Sequence, residues 1–194
     1  MPRFTLKTIE IEGFRGYNAP EKLNFSKPIT VLFGRNGVGK SSTLMAIEWC
    51  LFGGVEYLMH LEGRSRDELV NQFAPAGVAK VKLHIENGST TYEISRSKKI
   101  GSTKTEFKIV GPDKEYQDED AEHKLFQIFG VTLDDFIRAT YLHQESIRGL
   151  LVEDAASRDE AMDRLFGLER IRNIIEGIPV RKVRENVDDL EQKK

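Results

Sequence analysis

The chain has 194 residues, with 29 lysines and arginines against 31 aspartates and glutamates, so a globally basic nucleic-acid coat is excluded while a local basic face is not. That length suffices for one domain with a sizeable core plus an appendage. The single cysteine, Cys50, excludes an internal disulfide and fits a small buried residue in a reducing compartment. No run approaches the ~18 apolar residues of a membrane span, and Met1-Pro2-Arg3-Phe4-Thr5 lacks the apolar core of a signal peptide, so a soluble intracellular protein is expected.

The first expected element is a strand beginning at Phe4, where Leu6, Ile9 and Ile11 interleave with Lys7, Glu10 and Glu12. It ends at Gly13-Phe14-Arg15-Gly16-Tyr17, a turn carrying an arginine between two glycines. Leu23-Asn24-Phe25 reads as a second short strand and Ser26-Lys27-Pro28 as a turn. Ile29-Thr30-Val31-Leu32-Phe33 is an apolar, β-branched run of the kind that makes a buried parallel strand. A helix over Ser42–Phe52 carries Leu44, Ile47 and Leu51 at spacings of three and four, and Gly53-Gly54 stops it.

Between that strand and that helix lies Gly34-Arg35-Asn36-Gly37-Val38-Gly39-Lys40-Ser41. It satisfies G-x-x-x-x-G-K-[ST], the pattern of a phosphate-binding loop, in the strand–loop–helix setting the pattern needs. Gly34 and Gly39 permit angles and close approach that a Cβ would block. Successive N–H groups along Arg35, Asn36, Gly37 and Val38 then form a concave anion site around a β-phosphate. Lys40 brings a positive charge to the β- and γ-phosphates, and the Ser41 hydroxyl is placed to ligate Mg²⁺. The helix opening at Ser42 points its N-terminal dipole at the same phosphates. A chance match in a glycine-bearing turn is the alternative, and the complete motif with both flanks argues against it. The chain is expected to bind a nucleoside triphosphate, ATP, with Mg²⁺.

Beyond the helix, Leu69–Phe73 reads as one or two helical turns before Pro75 and Gly77. Val81, Leu83 and Ile85 alternate with Lys80, Lys82 and His84; Asn87-Gly88 is a hairpin turn, Thr90–Arg96 the return strand and Thr103–Val110 a third. Residues 78–110 thus read as an antiparallel meander beside a parallel sheet. A helical pattern begins at Asp118, with Leu125, Phe126, Ile128 and Phe129 ahead of Gly130 at the C′ position. Thr132-Leu133-Asp134-Asp135 resembles a capping box, Ser157-Arg158-Asp159-Glu160 is a full one, and further helices follow to Gly167 and Gly177. Val180, Val183, Val187 and Leu190 make a seam of about two heptads, open to two readings: a plain amphipathic helix, or the start of a coiled coil cut short.

Hydrolysis at such a loop needs a second acidic motif, four apolar residues followed by Asp and usually Glu. Asp134-Asp135 is the nearest match, but Gly130 and Thr132 interrupt the apolar run and the setting is a helix start. No Leu-Ser-Gly-Gly-type segment occurs. The chain carries half a catalytic site.

This order of parts resembles the N-terminal lobe of the ATPase head in the structural-maintenance-of-chromosomes (SMC) superfamily, and within it the SMC-like ATPase of DNA double-strand-break repair. Glu12-Gly13-Phe14-Arg15-Gly16-Tyr17, Phe33-Gly34-Arg35-Asn36-Gly37 and Tyr141-Leu142-His143-Gln144-Glu145 carry the resemblance. It implies that Arg15 reaches the nucleotide, with Gly16 standing where most members have serine, and that Gln144 contacts Mg²⁺ and the attacking water. It implies an α/β fold, the ABC-ATPase-like N-terminal lobe, with a mixed sheet and an antiparallel meander over residues 1–178, running into the base of a coiled coil over 179–194. The missing motifs would come from the chain's own C-terminal lobe, and a second head would join on ATP. A metallophosphatase-type nuclease at the coil base and double-stranded DNA are the implied partners, in a cytoplasmic, nucleoid-associated or nuclear setting. DNA would meet Lys98, Lys99, Lys104 and Lys108 through phosphates, although on the residues alone a solvated sheet face is the preferred reading of those lysines. Two other readings stand beside this one: another head ATPase of the superfamily, RecF-like or overcoming-lysogenization-like, or a self-contained small nucleotide kinase.

Overall fold

The computed structural model describes residues 4–54, 66–130, 133 and 136, all but the last within the unit built from residues 1–133. The segment 55–65, the capping boxes after Gly130, Gln144 and the heptad seam of 179–194 lie outside the described residues. Six strands form one sheet in the order β2-β1-β3-β4-β5-β6, with every ladder antiparallel. They are β1 (Phe4–Glu12), β2 (Glu21–Asn24), β3 (Val78–Asn87), β4 (Thr90–Lys99), β5 (Thr105–Val110) and β6 (Glu115–Gln117). Two helices, α1 (Lys40–Phe52) and α2 (Asp118–Phe129), pack against it.

Alternation decides the two faces of the sheet. Across the strands, Ile9, Leu83, Ile94 and Ile109 stand in one register row, and Ile11, Val81, Arg96 and Phe107 in the next. All eight are buried, and they form the floor on which the helices lie. The opposite face carries the intervening residues in ion pairs: Lys22 with Glu10 and Lys108 with Glu115 at 2.7 Å, and Lys82 with Glu93 at 3.0 Å. Lys22 holds the Glu10 carboxyl below its ordinary range. Between the pairs runs a trough of about 770 Å³ that Lys80, Ser95, Ser97 and Glu106 also line.

The meander forms with the expected strands and hairpin, but among the described residues it extends an antiparallel sheet through β1 instead of lying beside a parallel one. Gly130 ends α2 in the left-handed region, φ 65°. Three further expectations change. The Leu69–Phe73 helical turn is instead a 3-10 turn at Arg66–Leu69, followed by Val70 bridging to Phe14. The α1 face is different as well. Leu44 is 40 % exposed and Ile47 half-buried, whereas Thr43, Met45, Ala46, Glu48, Trp49, Cys50 and Leu51 are buried. A helix covered on most sides has no single apolar stripe, so spacing alone selects the wrong one.

The third change concerns the run before the phosphate loop. Residues 29–33 join no ladder, and Ile29, Val31 and Phe33 are 81 %, 79 % and 96 % exposed. Both sides of β1 are already taken, by β2 and β3. The run has the composition of a buried strand, but no described residue supplies the neighbouring strand that would bury it.

An arginine inside the apolar rows secures α1. Arg96 Nε donates to Cys50 O at 3.1 Å and its Nη2 to Leu51 O at 3.3 Å, while the guanidinium lies 3.8 Å over the Phe107 ring. α1 has no basic residue in its own last turn, so β4 supplies the cation its C-terminal carbonyls attract. Burial pushes the adjacent Cys50 thiol up to about 12, against the pull of Arg96, so this cysteine is an inert core residue. Arg96→Met should therefore lower unfolding free energy by about 2–4 kcal/mol in denaturant melts, since charged hydrogen bonds to two carbonyls disappear. A loss below about 0.5 kcal/mol would show the cap to be incidental.

Candidate nucleotide site

The loop closes on itself at the N-terminus of α1. Gly34, Gly37 and Gly39 have φ of 156°, 84° and 98°. A Cβ on Gly39 would stand 3.2 Å from Tyr17 Cζ, whereas one on Gly37 would meet nothing within 4 Å. Gly39 is thus packed from behind and Gly37 faces open space. Lys40 Nζ donates to Gly34 O at 2.9 Å and Arg35 O at 2.7 Å, drawing the two ends of the loop together. Thr43 N donates to Gly39 O at 2.9 Å, which leaves the Lys40, Ser41 and Ser42 amides as first-turn N–H groups without partners in the helix.

The two helix starts differ in a telling way. α2 opens with Asp118, Glu119 and Asp120 in its first turn, so its dipole is answered internally. α1 opens with Lys40-Ser41-Ser42, has no acid in that turn and no side-chain cap. Its positive end is open to an external anion, and the left-handed Gly37 and Gly39 turn the loop over that end. These residues fit a polyphosphate. Ser41, exposed in the first turn, fits a metal bound jointly with it; no cluster of three or more metal-ligating side chains exists among the described residues.

The turn before β2 lies against this loop. Arg15 takes a left-handed φ of 47°, and its N–H donates to Leu69 O at 2.9 Å. Asn71 N donates to Gly13 O at 2.8 Å and Asn71 Nδ2 to Arg15 O. A Cβ on Gly16 would be 3.4 Å from Gly39 Cα and 3.5 Å from Ser42 Oγ. Arg15 through Tyr17 and Gly34 through Ser42 are therefore brought together, while Gln144 lies outside the described residues. Sequence reasoning missed Tyr17 and Thr43, whose hydroxyls meet at 2.6 Å, because nothing in either residue's neighbourhood marks a contact across 26 positions.

The four lysines do not act alike. Lys99 and Lys104 are exposed at the β4–β5 turn, and Lys108 is tied to Glu115. Lys98 corrects the expectation of a DNA contact: it is 4 % exposed, pairs with Asp67 at 2.9 Å and donates to Ser102 O. Alternation places it on the inner face, where that partner satisfies it.

The chain also resembles known proteins over most of its length. Residues 8–194 match the family model described as AAA domain. Arcadin-4 of Pyrobaculum calidifontis is 28% identical over 89% of this chain and 21% of its own length. The DNA double-strand break repair Rad50 ATPase of Methanococcus maripaludis is 26% identical over 91% of this chain and 17% of its own. A component of the nuclease SbcCD of Deinococcus radiodurans, SbcC, is 25% identical over 86% of this chain and 19% of its own. The chain thus spans about a fifth of the length of these relatives.

Two measurements follow from the geometry. Lys40→Ala should weaken Mg-ATP binding tenfold or more by calorimetry, since one charge-assisted contact costs about 1.5–3 kcal/mol; unchanged affinity would remove Lys40 from the site. Lys98, first among its partners, holds the Asp67 carboxyl below its ordinary range. The folded value lies below the unfolded one, so the pair stabilises above about pH 4 and its contribution is lost as pH falls through the folded value. Asp67→Asn should then be destabilising at pH 7, with the gap to wild type narrowing as the pH is lowered below about 4; a gap independent of pH would exclude the ion pair as its cause.

The match over residues 8–194 agrees with the complete phosphate-loop motif at the start of α1, and the chain belongs to the AAA-domain family, with similarity to SMC-like ATPases.

Proposed function

We propose that this chain is the ATP-binding half of an ATPase head that dimerises on ATP, controls DNA binding and governs a partner nuclease in double-strand-break repair. The observation that carries this reading is the contrast between the two sides of the loop. On the helix side Lys40 is tied to the Gly34 and Arg35 carbonyls and Gly39 is buried against Tyr17, while on the strand side Ile29, Val31 and Phe33 lie exposed without a ladder. A C-terminal lobe of the same protein, bringing a strand to residues 29–33 together with the acidic residue and γ-phosphate donors of turnover, would complete the site. The relatives named for double-strand break repair and for a nuclease support the repair setting and the nuclease partner.

Within this reading Gly34–Ser42 hold the phosphates, Ser41 and Gln144 hold Mg²⁺, and Arg15 approaches the nucleotide from its turn against the loop. Lys99, Lys104 and Lys108 are the candidate phosphate contacts to double-stranded DNA, without base readout. Residues 179–194 form the coiled-coil base in this reading. No helix among the described residues is long and apolar enough to cross a membrane.

Purified residues 1–194 should bind ATP and hydrolyse it near background. Turnover should appear when the C-terminal lobe is supplied and should rise steeply with protein concentration, as expected of two ATPs shared between two heads. In that complete head, Gln144→Ala should preserve binding and lower hydrolysis. Ordinary turnover by 1–194 alone, independent of its concentration, would instead establish a self-contained NTPase or kinase.

A further inference from the structure

We propose that Tyr17 is a positioning residue that clamps the phosphate loop through Thr43. The inference rests on the nucleotide-binding reading and adds a part to it. The Tyr17 ring closes on Gly39 from behind, with Cζ, Cε2 and Oη standing 3.2, 3.3 and 3.4 Å from where a Cβ would be. Thr43 Oγ1 donates to Gly39 O at 3.1 Å, so the 2.6 Å contact between the two hydroxyls is completed by Tyr17 Oη donating to Thr43 Oγ1. The relay Tyr17–Thr43–Gly39 O fixes the peptide on which the left-handed Gly39 turns into the helix.

The clamp is itself anchored. Phe14, three residues earlier, is fully buried and stacks on Trp49 of α1 with ring centroids 5.3 Å apart. Tyr17 N donates to Phe14 O at 2.9 Å, which closes the turn between the two aromatic grips. Leu69 and Asn71 hold the same turn from the other side through the Arg15 N–H, the Gly13 carbonyl and the Arg15 carbonyl. The turn therefore grips α1 at two levels, Trp49 by packing and Thr43 by a hydroxyl. A phenylalanine at position 17 would serve packing alone; the hydroxyl is specific to the relay.

A loop held this way has its first-turn amides arranged before the ligand arrives, so less binding free energy goes into ordering it. The clamp acts on the part of the loop that receives the β-phosphate, so it should serve ATP and ADP alike. The test is a double-mutant cycle in the full chain with Tyr17→Phe, Thr43→Val and the pair, reading Mg-ATP and Mg-ADP affinity by calorimetry. Tyr17→Phe should weaken both nucleotides about fivefold, the equivalent of one net hydrogen bond. In the Thr43→Val background the same change should cost nothing further. The melting temperature of the nucleotide-free variants checks that the folded protein is being titrated.

Unchanged affinity in Tyr17→Phe, full additivity of the pair, or a loss confined to ATP would overturn the clamp. If the unsubstituted chain binds neither nucleotide, the nucleotide reading fails, and the clamp is decided separately by hydrogen exchange. Tyr17→Phe and Thr43→Val should each speed exchange of the Lys40, Ser41 and Ser42 amides, and unchanged rates would refute the clamp on its own.

Discussion

The N-terminal turn of α1 is the point on which this structure depends, because the phosphate loop has no other firm attachment among the described residues. Gly39 is buried, left-handed and backed by an aromatic ring, so the chain enters the helix along one path only. At the far end of the same helix Arg96 reaches across from β4 to bind the last carbonyls. α1 is thus fixed at both ends by side chains from other elements, a tyrosine hydroxyl at one and a guanidinium at the other. The sheet does the rest: α1 packs on β1, β3 and β4, with Met45, Trp49 and Cys50 buried and Trp49 stacked on Phe14.

The placement of charge follows from the same arrangement. On the outer face acids and bases alternate along and across strands, and most of the lysines there are already paired. Lys80 is an exception, an exposed cation opposite Glu12 at the edge of the trough with no ion pair among the described residues. Surface pairs of this kind contribute little to stability, typically about 0–1 kcal/mol, but they reduce the positive potential the face presents to an anion. The inner face holds two cations, Arg96 and Lys98, each spent on a structural partner. The open positive end of α1 remains as an anion-seeking feature that no acidic side chain of its own first turn answers.

Local chemistry made much of this legible from sequence. The helix after Gly39, the Asn87-Gly88 hairpin, the three meander strands and the glycine stops of both helices each rest on a turn residue or a short period, and each appears in the structure. Features that depend on distant residues were not legible. Alternation along β4 could have placed Lys98 inside with Ile94 and Arg96, but only its pairing to Asp67, 31 positions away, explains why burial is tolerated. Leu44 and Ile47 misled because α1 is covered on most sides. β6, three residues long, carries too little pattern to be seen.

Residues 29–33 are the most instructive case, since the sequence describes a strand meant for burial and the described residues leave it exposed. A loop anchored on its helix side and open on its strand side should still recognise phosphate, because the groups that do so belong to Gly34–Ser42. The most direct measurement is an amide NMR titration of the isotopically labelled chain with Mg-ATP. Saturable shifts concentrated in residues 34–43 and in the Gly13–Tyr17 turn are predicted, with the outer trough unaffected. Absence of saturable shifts in the loop, or larger shifts along the trough than in the loop, would contradict the account.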